Sequence, residues 1–489
     1  MAIHNAPPKA HRTMREFLAA LESSGRLRRI TKPVDRLWEP ATLAKWMYQA
    51  LPEAERFGMV FENVIGSTIP IVTGALGASR DTYALALNVT VDDINDAWVH
   101  ACCNPIAPRE VSSAPCHEVV LRAHDAKLSL LPIPVWTPGK DAGPYITTIV
   151  ITRHHDSGVQ NMGVYRTQVR DEHSVIVNFS PNRQGTVNIE SWTSRGKPAP
   201  VAWVIAAQPA VHLATLANLP ANADELFIAG GMIGEPVDVV RTKTNALLVP
   251  ASAEIIIEGL VHPGEMQKEG PFGEFAGYMG PVEDRPVARI TAITHQHDPI
   301  YYGYTSQMPP SESVIMQSLT NAGYLMKVLR VDLGETSVVD VAIDQTFGGL
   351  LGHGIVAMTP KYPAHGKKVG RLLAEISPLK RVTIVDADVD IRDPQHIDWA
   401  LNARFNPARD TVIIDDVFFP IHMDPSIRSR HAQSTMGSKI VIDATSKNDA
   451  GPLSLPAKEI MERGLESWKA AGLPSFEIPK RAKQRIEKA

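Results

Sequence analysis

Tyr145-Ile146-Thr147-Thr148-Ile149-Val150-Ile151-Thr152-Arg153 is the stretch from which the fold is read. It is dominated by Ile, Val and Thr, whose branched side chains pack well on a pleated surface. Ser174–Phe179, Pro200–Ala206, Ala246–Glu258 and Val287–His295 repeat that composition. Turn clusters such as Asp156-Ser157-Gly158 and Asn182 to Gly185 separate them. Many strands with few helical signals predict a barrel or sandwich over 125–310.

The pattern changes on both sides. Upstream, Thr13 and Glu16 fit a capping box, and Met14, Phe17, Leu18 and Leu21 share one helical face that Gly25 ends. A helix over Pro40–Ala50, strands at Met59–Phe61 and Pro70–Thr73, and a helix over Asp92–Cys103 complete an α/β pattern. Downstream, helices are expected at Glu312–Val328, Gly366–Ile376 and His396–Ala403. Strands are expected at Val338–Ile343, Val382–Val385 and Thr411–Ile414. Pro456–Ala471 reads as an amphipathic helix followed by a basic, mobile end. The expected class is a multidomain α+β and α/β chain: an α/β domain over 1–124, a β domain over 125–310, and an α/β domain with a terminal helix over 311–489.

Composition narrows the function. The chain has 489 residues, 44% hydrophobic and 21% charged, with a formal charge of −4. That is a globular balance with no bulk positive field to recruit nucleic acid. The start of the chain lacks the apolar core of a signal peptide, and Gln208, Pro209 and His212 interrupt the most apolar stretch. No membrane span and a cytoplasmic location are expected. Cys102, Cys103 and Cys116 have no CxxC spacing, so buried, reduced thiols are expected.

Neither common phosphate loop occurs, nor HExxH or GxSxG. The glycine-rich Phe347–Gly354 reads as a turn near a cavity, and His154-His155 and His295/His297 as surface turns. Two segments stand out. Gln160-Asn161-Met162-Gly163-Val164-Tyr165-Arg166-Thr167-Gln168 alternates polar and apolar residues. In Glu269-Gly270-Pro271-Phe272-Gly273-Glu274 two carboxylates bracket a Gly/Pro turn that lets both face one cavity. On spacing alone the competing reading is a solvated acidic loop.

Further landmarks are Ser112–Cys116, Asp141-Ala142-Gly143-Pro144, Ala251–Ile255 with Glu258-Gly259, Arg381–Asp390 and Asn406–Thr411. In that order they resemble the UbiD-type, prenylated-FMN-dependent decarboxylases over nearly the whole chain. The resemblance implies a central split barrel holding the flavin and a C-terminal oligomerisation domain. It implies a catalytic set of Arg166, Glu269 and Glu274, with Glu274 the proton donor. Asn161 and Glu225 would bind a divalent cation, usually manganese, with potassium as a further ion. Val164, Tyr165, Arg166, Asn178, Phe179, Ser180, Arg183 and Gln184 would touch the cofactor, with Lys361 as a phosphate partner. Some members carry a histidine where Gln184 stands, which leaves the third metal ligand open, with a weaker or water-completed site as one reading. Where several members have a GRPP sequence this chain has Gln307-Met308-Pro309-Pro310, losing an arginine, and His422 resembles a pocket histidine that meets a ring hydroxyl.

The implied reaction is reversible, non-oxidative decarboxylation of an aromatic, heteroaromatic or α,β-unsaturated acid, a hydroxybenzoate first. The implied partners are CO2, further copies of the chain (a dimer or hexamer) and a flavin prenyltransferase. The alternative is an unmodified-flavin oxidoreductase or a non-catalytic flavin-binding relative.

Overall fold

The computed structural model describes residues 10–181, 183–220, 223–418, 426, 436–447 and 451–488. The stretch read first forms two strands, Tyr145–Ile146 and Ile149–Arg153. At the break, the Thr147 hydroxyl donates to Tyr304 O at 3.0 Å and that of Thr148 to Val204 O at 2.7 Å. Side chains that bond to backbone elsewhere favour such a local departure from the ladder.

Both strands join a nine-stranded sheet. Its order is Tyr145–Ile146, Thr167–Asp171, Ser174–Val177, Glu283–His295, Ile255–Glu269, Ala199–Ile205, Ile149–Arg153, Gln160–Val164, with Val119–Arg122 pairing on Glu283–His295. Every pairing is antiparallel. Val150, Val201, Trp203, Ile255 and Ile257 are fully buried, each contributing about 1.5–3 kcal/mol relative to an exposed side chain.

Two expectations for this region need correction. Ala246–Glu258 is not one strand. Leu248–Pro250 pairs with Asp238–Arg241 in a small sheet, and a new strand runs Ile255–Glu269. Between them the Gln296 amide donates to the carbonyls of Ser252 and Ala253, both at 3.1 Å, so the backbone is satisfied off the ladder. Three helices also appear: Gln184–Thr193, Pro209–Ala214 and Glu225–Ile233. The last is apolar nearly all round and buried, so it shows no amphipathic period to read.

A four-stranded sheet runs Leu27–Ile30, Gly58–Phe61, Ile71–Thr73, Tyr301–Tyr302. Thr13 caps the first helix, accepting Glu16 N–H at 3.1 Å, while the Glu16 carboxylate takes Arg12 N–H instead of closing the box. These elements and the nine-stranded sheet lie in one compact unit, reaching to Tyr324 with Gln345–Gly349 added. A second unit contains a five-stranded sheet ordered Val338–Ile343, His353–Met358, Arg381–Asp386, Met436–Ala444, Thr411–Phe418. His353–Met358 grows out of the glycine-rich segment read as a turn. The basic end forms a helix, Lys480–Lys488. Of the thiols only Cys116 is buried; Cys102 is half-buried and Cys103 exposed. No described helix is long and apolar enough to cross a membrane.

Candidate active site

Arg166 sits at the bend between Gln160–Val164 and Thr167–Asp171. Its carbonyl accepts Asn178 N–H at 3.0 Å, which pins the bend. The guanidinium is almost wholly buried. Nε and Nη2 fork onto Glu269 at 3.0 and 2.6 Å, and Nη1 contacts Glu274 Oε1. Glu269 ends the long strand and is fully buried; Glu274 follows in the loop and is 8% exposed. The geometry is a planar fork with a carboxylate on each side, the arrangement in which an arginine is most selective.

The loop that carries Glu274 is closed by its own backbone. Glu274 N–H donates to Tyr278 O at 2.9 Å and Gly280 N–H to Phe272 O at 2.7 Å. Gly270 and Gly277 adopt φ of +95° and +91°, a region that favours glycine. Gly280 is required for another reason: a Cβ there would lie 2.7 Å from Arg166 Nη1 and 3.1 Å from Glu274 Oε1. Asp141 staples the loop from outside, accepting N–H groups of Thr137 at 2.6 Å and Gly273 at 2.9 Å. Burial raises its pKa, and those hydrogen bonds oppose the rise. The Phe272 ring lies 5.4 Å from the Arg166 guanidinium and 4.4 Å from the Tyr145 ring.

A second cluster lies on the neighbouring strand. Asn161 Nδ2 and Met162 N donate to the Glu225 carboxylate, both at 3.1 Å. Asp224 caps the helix that Glu225 opens, accepting Leu226 N–H at 2.8 Å. Gly230 and Gly231 let that helix approach closely, since a Cβ would meet Ile106 O at 2.5 Å or Ala101 O at 2.6 Å. Burial, with a smaller push from Asp224, raises Glu225 to about 7. Among the described residues no basic side chain pairs with it, so a cation would relieve its buried charge. Asn161 and Glu225 thus fit a divalent ion with two oxygens. No described group of three His, Cys, Asp or Glu side chains could hold a metal; Gln184 instead bonds Asn188 at 3.0 Å.

The remaining flavin candidates cluster around Tyr165. Its ring lies 5.0 Å from that of Phe179, its hydroxyl accepts Gly185 N–H at 3.1 Å and donates to Asn161 at 3.4 Å. Val164 pairs with Ile149. Ser180 bonds Asn178 at 3.3 Å, and Asn178 accepts from Arg285 at 2.8 Å. Arg183 precedes the helix Gln184–Thr193, whose first turn has no side-chain cap. The uncapped N-terminus of this helix, beside Ser180 and Arg183, favours a negative group such as a phosphate.

Three parts of the chain match consecutive family descriptions. Residues 18–102 match the 3-octaprenyl-4-hydroxybenzoate carboxy-lyase N-terminal domain, 109–309 its Rift-related domain, and 314–444 its C-terminal domain. The UbiD-class enzyme HmfF from Pelotomaculum thermopropionicum, solved in complex with prFMN, is 32% identical with a TM-score of 0.81. The match covers 94% of this chain and 100% of that one.

The chain belongs to the UbiD family of carboxy-lyases.

Another UbiD-like structure, the closed form of vanillic acid decarboxylase from Sedimentibacter hydroxybenzoicus, is 26% identical, with a TM-score of 0.83 over 94% and 99% of the chains. The apo 3,4-dihydroxybenzoic acid decarboxylase from Enterobacter cloacae, 24% identical over 96% and 98% with a TM-score of 0.80, shares the fold. Within this UbiD-family chain, Gln307 is buried beside Gly273; its oxygen accepts Ser306 N–H at 3.2 Å and its amide nitrogen has no partner among the described residues. Lys361 lies in the second unit and donates to Thr336 at 3.0 Å. His422 lies outside the described residues. Sequence reading missed Tyr145, Arg285 and Gly280, which carry no local motif. Asp141 was visible only as a landmark.

Proposed function

We propose that this UbiD-family enzyme decarboxylates an aromatic, heteroaromatic or α,β-unsaturated acid reversibly and without net oxidation, using prenylated FMN. The observation that carries the reading is Arg166 held between two buried carboxylates. Two carboxylates on one cation favour a state in which one keeps a proton. Glu274, on the loop, is the proton donor; Glu269 and Arg166 orient it, and Arg166 also steers the substrate carboxylate. The bond to the carboxyl carbon breaks, CO2 leaves, and the electron pair stays on the ring or vinyl carbon. Glu274 then protonates that carbon and recovers its proton from water. When bound, prenylated FMN supplies the electron sink that makes this charge bearable.

Asn161 and Glu225 would hold a divalent ion, manganese first, with Tyr165, Phe179, Asn178, Ser180 and Arg183 around the flavin. A hydroxybenzoate-type acid is the proposed substrate. Its support is the vanillic acid decarboxylase relative, the arginine lost where Gln307-Met308-Pro309-Pro310 stands for GRPP, and His422. His422→Ala should lower kcat/KM for a hydroxybenzoate far more than for its deoxy analogue; equal losses would end that part of the reading. We also take the enzyme to be a cytoplasmic homo-oligomer that depends on a flavin prenyltransferase.

The test is mass spectrometry of the extracted cofactor, followed by CO2 release from a panel of acids. Prenylated FMN with activity on an aromatic acid is expected. Plain FMN in an enzyme inactive on every acid would overturn the reading.

A further inference from the structure

Arg285 lies on the strand Glu283–His295, and the roles above leave it unused. All three of its guanidinium nitrogens are engaged. Nη2 grips the Glu283 carboxylate, Nη1 donates to Asp284 O at 3.2 Å, and Nε donates to the Asn178 side chain at 2.8 Å. An arginine can only donate, so the atom that Asn178 turns toward Nε has to be its oxygen. The Ser180 hydroxyl donates to the same oxygen at 3.3 Å. Asn178 Nδ2 therefore points away from Arg285, and it has no polar partner among the described residues. The backbone of Asn178 is fixed as well, its N–H donating to Arg166 O at 3.0 Å.

We propose that Arg285 is a positioning residue that locks the Asn178 amide with its N–H donors turned toward the flavin, where they meet an acceptor oxygen of that cofactor. An amide free at both ends has two orientations of similar energy, and only one of them offers a donor. Removing the wrong one before the ligand arrives lowers the cost of binding. Ser180 cannot make that choice by itself, because a hydroxyl both donates and accepts. Glu283 and Asp284 O hold the guanidinium, which leaves Nε a single direction. The inference rests on the flavin reading above and adds to it a residue 107 positions from the amide that it orients.

The test is the affinity of the full-length protein for FMN, read by quenching of flavin fluorescence with manganese present. Arg285→Met removes the lock and should weaken FMN about five- to tenfold. Asn178→Asp keeps an acceptor for Arg285 but turns the donor into an oxygen. It should bind FMN more weakly than Asn178→Ala does, without melting lower than the native protein. Arg285→Met added to Asn178→Ala should cost nothing further, since the arginine acts only through that amide. Riboflavin in the same series separates two sources of the acceptor: an equal loss places it on the ring, and a loss confined to FMN places it on the phosphate. Native affinity in Arg285→Met, additive losses in the double variant, or FMN binding retained in Asn178→Asp would each overturn the lock alone. A native protein that binds no FMN would overturn the flavin reading, and the lock with it.

Discussion

Two arginines in this chain each hold a pair of largely buried carboxylates, one arginine in each unit. In the first, Arg166 grips Glu269 and contacts Glu274. In the second, Arg404 bonds Asp386 at 2.7 Å and Asp388 at 2.9 and 2.8 Å. The difference lies in what completes them. Asp388 also pairs with Lys488 at 3.2 Å, and Asp386 accepts Ser446 N–H at 2.7 Å. Burial works against the charge on Asp388, but the Arg404 hydrogen bonds and charge, helped by Lys488, hold it at about 2. The Arg404 cluster has one cation for each acid, Arg404 and Lys488 against Asp386 and Asp388. The Arg166 cluster has two acids for one cation, and one of them, Glu274, rides a glycine-rich loop. An arginine between two acids is therefore no signature of chemistry; a pair of acids sharing a single cation is the better one.

The comparison breaks most easily at Glu274. Glu274→Gln should cut kcat by about 10²–10⁴-fold with flavin content and melting unchanged; a correctly loaded, near-native variant would remove the distinction. Next comes charge compensation at Glu225. EDTA treatment or Glu225→Ala should weaken flavin retention by about 10–100-fold, read as cofactor absorbance after gel filtration. Full retention in both would exclude a metal there. Gly280→Ala, which pushes a methyl against Arg166 and Glu274, should slow turnover by about tenfold with little change in melting. Asp388→Asn should have the smallest effect on turnover, within twofold. Its effect should be on stability, about 1.5–3 kcal/mol by denaturant titration. Because native Asp388 titrates at about 2 against 3.8 normally, that contribution is complete above about pH 4 and lost as pH falls through 2. A loss of stability on raising the pH instead would reverse the assignment.

Much of this was legible beforehand, and the pattern of misses is physical. Short-range signals read well. The helix Met14–Ser23 follows its apolar face, and Glu312–Lys327 and Val338–Ile343 fall where periodicity puts them. The helix Glu225–Ile233 escaped notice because burial on all sides erases periodicity, and Ala246–Glu258 was read through a break made by Gln296, far along the chain. At the site, Arg166 and the two glutamates were identifiable because their residue types and motif neighbours are local. Tyr145 was not, since nothing near it in sequence says that its hydroxyl ends on Gln168.

The sequence by itself determined the family, the element types and the candidate chemistry, because helix caps, strand composition and motif order are written in neighbouring residues. Only the tertiary structure decided which acids share Arg166 and which share Arg404. Arg166 and Glu269 stand 103 residues apart, Asn161 and Glu225 64, and Asp141 and Gly273 132. Such pairs meet because buried strands and a close-packed glycine helix bring them together, and burial then makes each charge depend on which partners arrive with it.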